Sequence, residues 1–250
     1  MAESYEKAFD MYVGVNDPQK LNSFWTAQLQ GSPYLGGRPE LLRQIQQGAR
    51  PLPMALHGDG VSVTGLGKTW QKGIDAYSIS SILTFGDTGH YNQVLAMVPG
   101  EFKEHGPAMD RFYRALKWSF EALATGRWPR SDYMGRRYPR GSGGADRAGK
   151  RLARKHTAVL FCCKGDLDHF WKSMQAPSFH SSSPCAHCNA DRDQNPWWDV
   201  RPTARWRQQL RSYPHRMDPV RLCPDWMHSK HLGTDAYIVA SVLAIIVFRK

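Results

Sequence analysis

Two aspartates of this sequence are candidates for holding catalytic metal ions. Asp59 lies within a His-Gly-Asp-Gly segment at residues 57–60, and Asp166 follows an apolar run over residues 156–164. Clusters of Asp and Glu can hold two Mg²⁺ or Mn²⁺ ions about 4 Å apart for phosphoryl transfer, because hard oxygen ligands suit these cations. The glycines beside Asp59 would also allow a nucleic-acid backbone to approach closely. These residues suggest two-metal phosphoryl transfer.

Each aspartate also has a purely structural interpretation. His-Gly-Asp-Gly is an ordinary hairpin-turn sequence, so Asp59 could belong to a turn. Asp166 could cap a helix that follows the apolar run, or form an Asx turn, and Asp168 competes with it as the acid that follows this run. Taken singly, the structural interpretation is favoured for each residue; the order of the surrounding elements favours the metal site.

The elements that would position these acids follow the order strand, strand, strand, helix, strand. Alternating or β-branched stretches predict strands over residues 54–63, 75–85 and 91–98, with short links that favour an antiparallel meander. Next comes a helix with one apolar face, bounded by a proline before it and a glycine after it. The residues of this face are Met109, Phe112, Tyr113, Leu116, Phe120 and Leu123, and the bounding residues are Pro107 and Gly126.

The helix would return the chain to the sheet, so that the apolar run over residues 156–164 forms a fourth strand parallel to the first. This is the order of the ribonuclease H-like α/β fold, in which acids on the first and fourth strands lie side by side. We expect this core over residues 51–170. It would be preceded by an irregular segment over residues 1–50, with one short helix around Leu41 to Ile45.

Two further regions complete the predicted organisation. Residues 171–224 read as a loop-rich insertion containing a CxxC motif and several tryptophans, and residues 225–250 as a C-terminal helical element. The apolar run from Ala236 to Phe248 is shorter than the roughly twenty residues that span a bilayer. It therefore predicts a buried helix or strand, and no stable membrane association.

A basic segment carries most of the net charge of +11. Residues 126–155 contain ten Lys or Arg and two Asp, a net +8, and four small residues in a row at 141–144. The sequence predicts a flexible loop, which either contacts phosphates or only keeps the chain soluble. The candidate residues for binding DNA are Arg136, Arg137, Arg140, Lys150, Arg151, Arg154 and Lys155.

The five cysteines suggest zinc more than disulfides. Cys185 and Cys188 have the spacing of a zinc knuckle, and Cys223 and His228 are the best candidates for the remaining ligands of Zn²⁺. Two free thiols in a surface loop are the alternative. Cys162 and Cys163 lie in the apolar run and are expected to be inert core thiols. Few cysteines and a polar start over residues 1–12 favour the nucleus or cytoplasm over secretion.

A cluster of aromatic and basic residues in the insertion has two interpretations. Three tryptophans and three arginines lie close together in the middle of the insertion; these are Trp197, Trp198, Trp206, Arg201, Arg205 and Arg207. Such mixtures can stack on bases and hold phosphates. A small satellite core with a basic rim is the favoured alternative.

Four segments in order carry a resemblance to a known family. They are HGDGV at 57–61, KGDLD at 164–168, PCAHC at 184–188 and DWMHSKHLG at 225–233. Over residues 50–250 the chain resembles transposase-like proteins of protist mobile elements. More loosely, it is similar to eukaryotic DDE/D transposases with a CxxC or CxxH insertion after the second catalytic Asp.

The resemblance implies that Asp59 and Asp166 are the first and second metal-binding acids. It leaves the third acid open: either Asp225, or an acid beyond residue 250, with the D-x-x-H element then structural. A separate amino-terminal DNA-binding domain is not evident. The hypotheses are therefore a metal-dependent transposase or nuclease, or an inactive relic or zinc-dependent nucleic-acid-binding module. A membrane-associated protein ranks last, and homo-oligomerisation stays open.

Overall fold

The chain forms an α/β structure around a mixed five-stranded sheet. The computed structural model describes residues 18–64, 72–84, 92–102, 107–152, 156–178, 180–207, 221–224 and 235–248. Its helices are α1 (Pro18–Leu29), α2 (Pro33–Gly36), α3 (Pro39–Gln46), α4 (Pro107–Thr125), α5 (Gly143–Arg147), α6 (Leu167–Met174) and α7 (Ala236–Phe248). Its strands are β1 (Leu52–Thr64), β2 (Lys72–Ser81), β3 (Gln93–Pro99), β4 (Ala158–Gly165) and β5 (Arg221–Pro224).

The sheet has the strand order β3-β2-β1-β4-β5. The first three strands pair antiparallel, whereas β4 pairs parallel to β1 and β5 pairs parallel to β4. The predicted α/β class, the three-stranded meander and the parallel fourth strand are thus confirmed. Strand β5 was not predicted, because its four residues lie inside the region that reads as a loop-rich insertion.

Helix α4 makes the crossover between β3 and β4, and its apolar stripe faces the sheet. Met109, Tyr113, Leu116 and Phe120 are buried, as the 3.6-residue spacing predicts. The helix ends before Gly126, which has a φ of +63°, a conformation that glycine adopts without the steric cost of a Cβ atom.

Helices cover both faces of the sheet. On one face, Tyr77 of β2 packs against Phe112 and Tyr113 of α4, with ring centroids 4.5 and 6.3 Å away. On the other face, Tyr34 of α2 packs against Phe161 of β4 at 4.5 Å. The Tyr34 hydroxyl donates a hydrogen bond to a β4 carbonyl, and burial raises the pKa of Tyr34 to about 12.

The helices before β1 belong to the same hydrophobic core as the sheet. Trp25 of α1 is fully buried, and Ile45 of α3 is nearly so. The indole of Trp25 also donates a hydrogen bond to the carbonyl of Pro51, immediately before β1. The predicted short helix around Leu41 to Ile45 is confirmed as α3, whereas α1 and α2 were not predicted.

The buried strand β4 contains the two thiols expected to be inert. Cys162 and Cys163 are both buried. A hydrogen bond with Cys223 and burial raise the pKa of Cys162, and burial raises the pKa of Cys163. Thiols with raised pKa values stay protonated at neutral pH, so they are poor nucleophiles and poor metal ligands.

The helix predicted at the end of the chain is present as α7, but the prediction of its burial is wrong. Tyr237 and Ile246 are 77% and 66% exposed, and most of the helix is equally open. The physical reason is that the apolar character of a run does not by itself supply a packing partner, and the described residues bury little of this helix. Across the described ranges, no helix is long and apolar enough to cross a membrane.

Candidate metal centre

Three adjacent parallel strands share one row of paired residues, and an aspartate lies just beyond this row in each sequence. His57 of β1 pairs with Lys164 of β4, which pairs in turn with Cys223 of β5. Asp59, Asp166 and Asp225 each lie two residues beyond this row. Asp225 lies outside the described residues, one position after Pro224, the partner of Gly165.

Asp59 lies within a strand and not in a turn. It pairs with Ala76 of β2 in a register that continues from Met54 to Ser62, so the hairpin interpretation of this segment is wrong. The Asp59 side chain is exposed. Because directly opposed residues in antiparallel strands share a face, Asp59 points to the side of the sheet opposite Gly58 and Tyr77.

Asp166 caps helix α6. Its backbone is extended, and its Oδ1 accepts a hydrogen bond of 2.6 Å from the backbone N–H of His169. This is the capping role that the sequence offered as the alternative to metal binding. The two roles are compatible, because an ionised carboxylate has several acceptor sites on two oxygens and the cap uses one of them.

Asp168, the competing acid, lies in the first turn of α6. It is exposed and forms an ion pair with Lys172 at 3.0 Å, one helical turn further along. The capping geometry therefore distinguishes Asp166, at the strand end, from Asp168, on the helix surface. Asp168 provides a control position for experiments on Asp166.

Two glycines, Gly58 within β1 and Gly165 at the end of β4, make room for the His169 ring. A Cβ atom at Gly58 would lie 2.1 Å from Cε1 of His169, and one at Gly165 would lie 2.9 Å from the carbonyl oxygen of Gly58. His169 is 2% exposed. The expectation that Gly58 admits a nucleic-acid backbone is therefore wrong, because a side chain of the same protein fills the space beside it.

We expect Gly58→Ala to destabilise the protein by about 1–3 kcal/mol, because the methyl group overlaps the His169 ring. Gly36→Ala is the matched control, since nothing lies within 4 Å of the added Cβ at that position. Denaturant unfolding monitors both variants. The double variant Gly58→Ala/His169→Ala should be less destabilised than the sum of its single variants; simple additivity would argue against the contact.

Asp75 was missed by the sequence analysis. It lies on β2, is 2% exposed, and accepts a hydrogen bond of 3.1 Å from the Ser173 hydroxyl of α6. Asp75 pairs with Gly60, so its side chain lies on the face of the sheet opposite that of Asp59. The two carboxylates therefore do not belong to one site. Asp75 lies two residues before Tyr77 on the same strand, so the two side chains share a face of the sheet. This spacing was the signal that could have predicted the burial of Asp75.

The cysteine pair of the insertion is close together. The Sγ atoms of Cys185 and Cys188 lie 3.1 Å apart, and Cys188 is buried. Cys223, predicted as a third zinc ligand, interacts with Cys162 at the sheet. Within the described ranges, no group of three or more His, Cys, Asp or Glu side chains could hold a metal ion. His228, the predicted fourth ligand, lies outside those ranges.

The basic segment is folded back on itself, so the prediction of a flexible loop is wrong for residues 127–152. The backbone N–H of Trp128 donates to Lys150, and that of Gly149 donates back to Trp128, at 2.9 and 2.8 Å. The guanidinium of Arg147 stacks on the Trp128 ring at 4.5 Å. Hydrogen bonding of this kind overrides the local freedom that the glycines supply.

The predicted DNA-binding side chains of this segment are exposed. They are Arg136, Arg137, Arg140, Lys150 and Arg151. Arg136 forms an ion pair with Asp132 at 2.8 Å, and hydrogen bonds from Arg136 lower the pKa of that carboxyl. Arg154 and Lys155 lie outside the described residues.

Both ends of the basic segment are fixed at the amino end of β4. The Leu152 N–H donates to the Gly126 carbonyl at 2.8 Å, and a Cβ at Gly126 would lie 3.0 Å from the Thr157 methyl group. Asp166 follows the other end of β4. At about 3.3 Å per residue, the eight positions from Ala158 to Asp166 span roughly 26 Å. The cationic segment and the candidate metal centre are therefore anchored at opposite ends of one strand.

The tryptophans of the insertion are partly exposed. Trp197 and Trp198 pack edge to face at 5.2 Å and both are exposed, whereas the Trp206 ring lies under Arg207 at 4.4 Å. Arg201 pairs with Asp199 at 2.8 Å. These contacts leave open both a satellite core and a stacking surface.

Comparisons with known proteins give no family for this chain. It matches no protein-family model, no curated protein and no solved structure at a significant level.

Proposed function

We propose that this chain is a transposase-derived phosphoryl transferase with a ribonuclease H-like core, which cleaves or transfers DNA strands with Mg²⁺ or Mn²⁺. The observation that carries this proposal is the row formed by His57, Lys164 and Cys223 on three adjacent parallel strands. An aspartate follows two residues later in each case. The strand order, with the crossover helix α4 between β3 and β4, supports the ribonuclease H-like assignment.

The carboxylate oxygens that follow this row of residues suit hard divalent cations. Asp59 is exposed on β1, and Asp166 is half-buried at the start of α6 with one carboxylate oxygen engaged in the cap. Neighbouring strands lie about 4.8 Å apart, so carboxylates in corresponding positions can share metal ions. Bound Mg²⁺ or Mn²⁺ would activate the attacking oxygen and stabilise the leaving one.

The third ligand in this proposal is Asp225. The pairing of β5 with β4 ends at Gly165 and Pro224. The next residue in sequence is an aspartate in both cases, Asp166 and Asp225. This supports Asp225 over an acid located beyond residue 250. The proposed roles of this chain's own residues are to hold the metals through Asp59, Asp166 and Asp225, and to orient Asp166 through the α6 cap.

The proposed substrate is DNA, which would make the nucleus the site of action. The exposed cations of the basic segment support it, and they are anchored about 26 Å from Asp166 at the other end of β4. Duplex DNA rises 3.4 Å per base pair, so about eight base pairs span this distance. One duplex could therefore contact both regions.

The test is metal-dependent cleavage of supercoiled plasmid DNA by the full chain. We expect Mn²⁺-dependent nicking that is lost in Asp59→Asn and in Asp166→Asn, and retained in Asp168→Asn. Nicking that persists at the same rate in the Asp59→Asn/Asp166→Asn double variant would contradict the proposal.

A second candidate function is nucleic-acid binding without catalysis, as in an inactive transposon relic or a zinc-dependent module. The folded, exposed basic segment favours it, as does the close approach of Cys185 and Cys188. Zinc could use these two thiolates with ligands from the residues after Pro224. Release of zinc by the purified chain on acid treatment, at one ion per chain, would support that site.

The salt dependence of DNA affinity tests the role of the basic segment. We expect Arg137→Gln/Arg140→Gln to reduce the slope of log K against log salt by about 1.8, since each phosphate contact contributes about 0.9. Arg111→Gln/Arg114→Gln on the exposed face of α4 is the matched control with the same loss of charge. Equal slopes in the two double variants would contradict phosphate contact by the segment.

A further inference from the structure

A cleft lies between the second half of α4 and the basic segment. Its volume is about 470 Å³, within the range of small-molecule sites. Trp118 and Glu121 line the wall formed by α4, and Arg127, Trp128 and Arg130 line the wall formed by the segment. The cleft adjoins the amino end of β4 and is thus separate from the candidate metal centre.

The aromatic side chains of this cleft are fixed in place. The Trp118 indole donates a hydrogen bond of 2.9 Å to the Ser131 carbonyl, which ties α4 to the segment. Arg147, which does not line the cleft, stacks on Trp128 at 4.5 Å. Both indoles are half-buried and both line the cleft. Because these side chains are already held in place, a ligand that contacts them would lose little of their conformational freedom on binding.

The charges of the cleft are separated between its two walls. Glu121 on α4 offers a hydrogen-bond acceptor, whereas Arg127 and Arg130 on the segment offer guanidinium donors. One guanidinium nitrogen of Arg127 donates to the Gly149 carbonyl at 2.9 Å, which orients that side chain beside the cleft. A ligand that fits has a planar ring, hydrogen-bond donors on the ring and an anionic group on its other side.

We propose that this cleft binds a nucleotide, with the base against the indoles and the phosphate on Arg127 and Arg130. Base-aromatic stacking and charge-assisted contacts of guanidinium with phosphate supply the affinity. Glu121 accepts from a ring amino or imino group. The nucleotide is either an unpaired residue of a nucleic-acid strand or a free mononucleotide. The inference goes beyond the proposed function, because it requires neither metal nor cleavage.

The experiment measures binding of deoxyadenosine 5′-monophosphate to the full chain without divalent metal, by calorimetry and by NMR of the indole N–H groups. The Trp118 and Trp128 resonances, assigned from Trp→Phe variants, should shift on titration, and those of Trp197 and Trp198 should not. Inorganic phosphate should bind at least about 10-fold more weakly, because it lacks the stacking contribution.

Three variants and a control test the proposed roles of Arg130 and Trp128. Arg130→Gln should weaken nucleotide binding by at least about 10-fold, which is the lower limit expected for one charge-assisted contact. Arg111→Gln, an exposed arginine on α4 outside the cleft, should leave the affinity unchanged. Trp128→Leu should weaken binding by at least about 10-fold, and Trp128→Phe by much less, because phenylalanine keeps an aromatic face.

The source of the nucleotide follows from a second titration with a single-stranded 12-mer oligonucleotide. Tighter binding of the 12-mer, with the same dependence on Arg130, identifies a nucleic-acid strand as the ligand. Equal or weaker binding identifies a free nucleotide.

The proposal is overturned if phosphate binds as well as the nucleotide, or if Arg130→Gln binds as the control does. Asp59→Asn should bind the nucleotide normally. The absence of DNA cleavage and the absence of nucleotide binding in the cleft are therefore separate outcomes.

Discussion

Replacement of Asp59 by Asn is expected to reduce Mn²⁺-dependent strand cleavage by at least about 100-fold. Metal ions contribute several kcal/mol of charge stabilisation in the transition state, and every 1.4 kcal/mol corresponds to a factor of ten in rate. An amide keeps the size of the side chain but removes the negative charge that attracts the cation. Because Asp59 is exposed, the free energy of unfolding should change by less than about 0.5 kcal/mol.

Asp166 permits a sharper separation of function from folding. Asparagine caps helices about as well as aspartate, so Asp166→Asn should keep the cap on the His169 N–H and retain stability. The same change should remove most of the cleavage activity. Asp166→Ala should lose both, with a stability cost of about 1 kcal/mol from the lost cap.

The controls for both substitutions are present in the chain. Asp168→Asn removes the same charge two residues away, from an exposed side chain paired with Lys172. Cleavage rates should be compared over a range of Mn²⁺ concentrations, because a weakened metal site also raises the concentration needed for half-maximal activity. If Asp168→Asn loses as much activity as Asp166→Asn, the assignment of Asp166 as the metal ligand is contradicted.

The meander and the crossover helix could be predicted from the sequence because their signals are local. Alternation over β2 and the apolar stripe of α4 each lie within a single element. Helix α1 carried a local signal too, since Leu21, Phe24 and Trp25 have the spacing of one helical face. The other residues of that stretch are mostly polar, which weakens the signal.

Other features depend on contacts between distant parts of the chain, which no local pattern reveals. The space beside Gly58 is filled by His169, 111 positions later in the sequence. Burial of Asp75 runs against the usual exposure of acids and depends on Ser173, 98 positions away. The exposure of α7 likewise depends on what the rest of the chain offers as a packing partner, which the apolar run itself does not reveal. Local sequence predicts β1, which carries Asp59, and β4, which Asp166 follows, whereas the contacts around both acids depend on the fold.

Trp25→Ala is expected to have the largest effect on stability, about 3–5 kcal/mol. Trp25 is fully buried, packs edge to face with Phe24 at 4.9 Å, and lies 6.3 Å from the Phe161 ring of β4. The substitution creates a large cavity and leaves the Pro51 carbonyl without its indole donor. For a chain of this size, the melting temperature should fall by roughly 6–20 °C.

Trp198→Ala is the control, because this indole is 58% exposed in the insertion. We expect its free energy of unfolding to stay within about 0.5 kcal/mol of the parent protein. The comparison decides whether α1 to α3 stabilise the sheet. If Trp25→Ala has the same melting temperature as Trp198→Ala, the amino-terminal helices contribute little to the stability of the core. If it melts far below, residues 18–50 are part of the unit that holds β1 beside β4, the two strands that position Asp59 and Asp166.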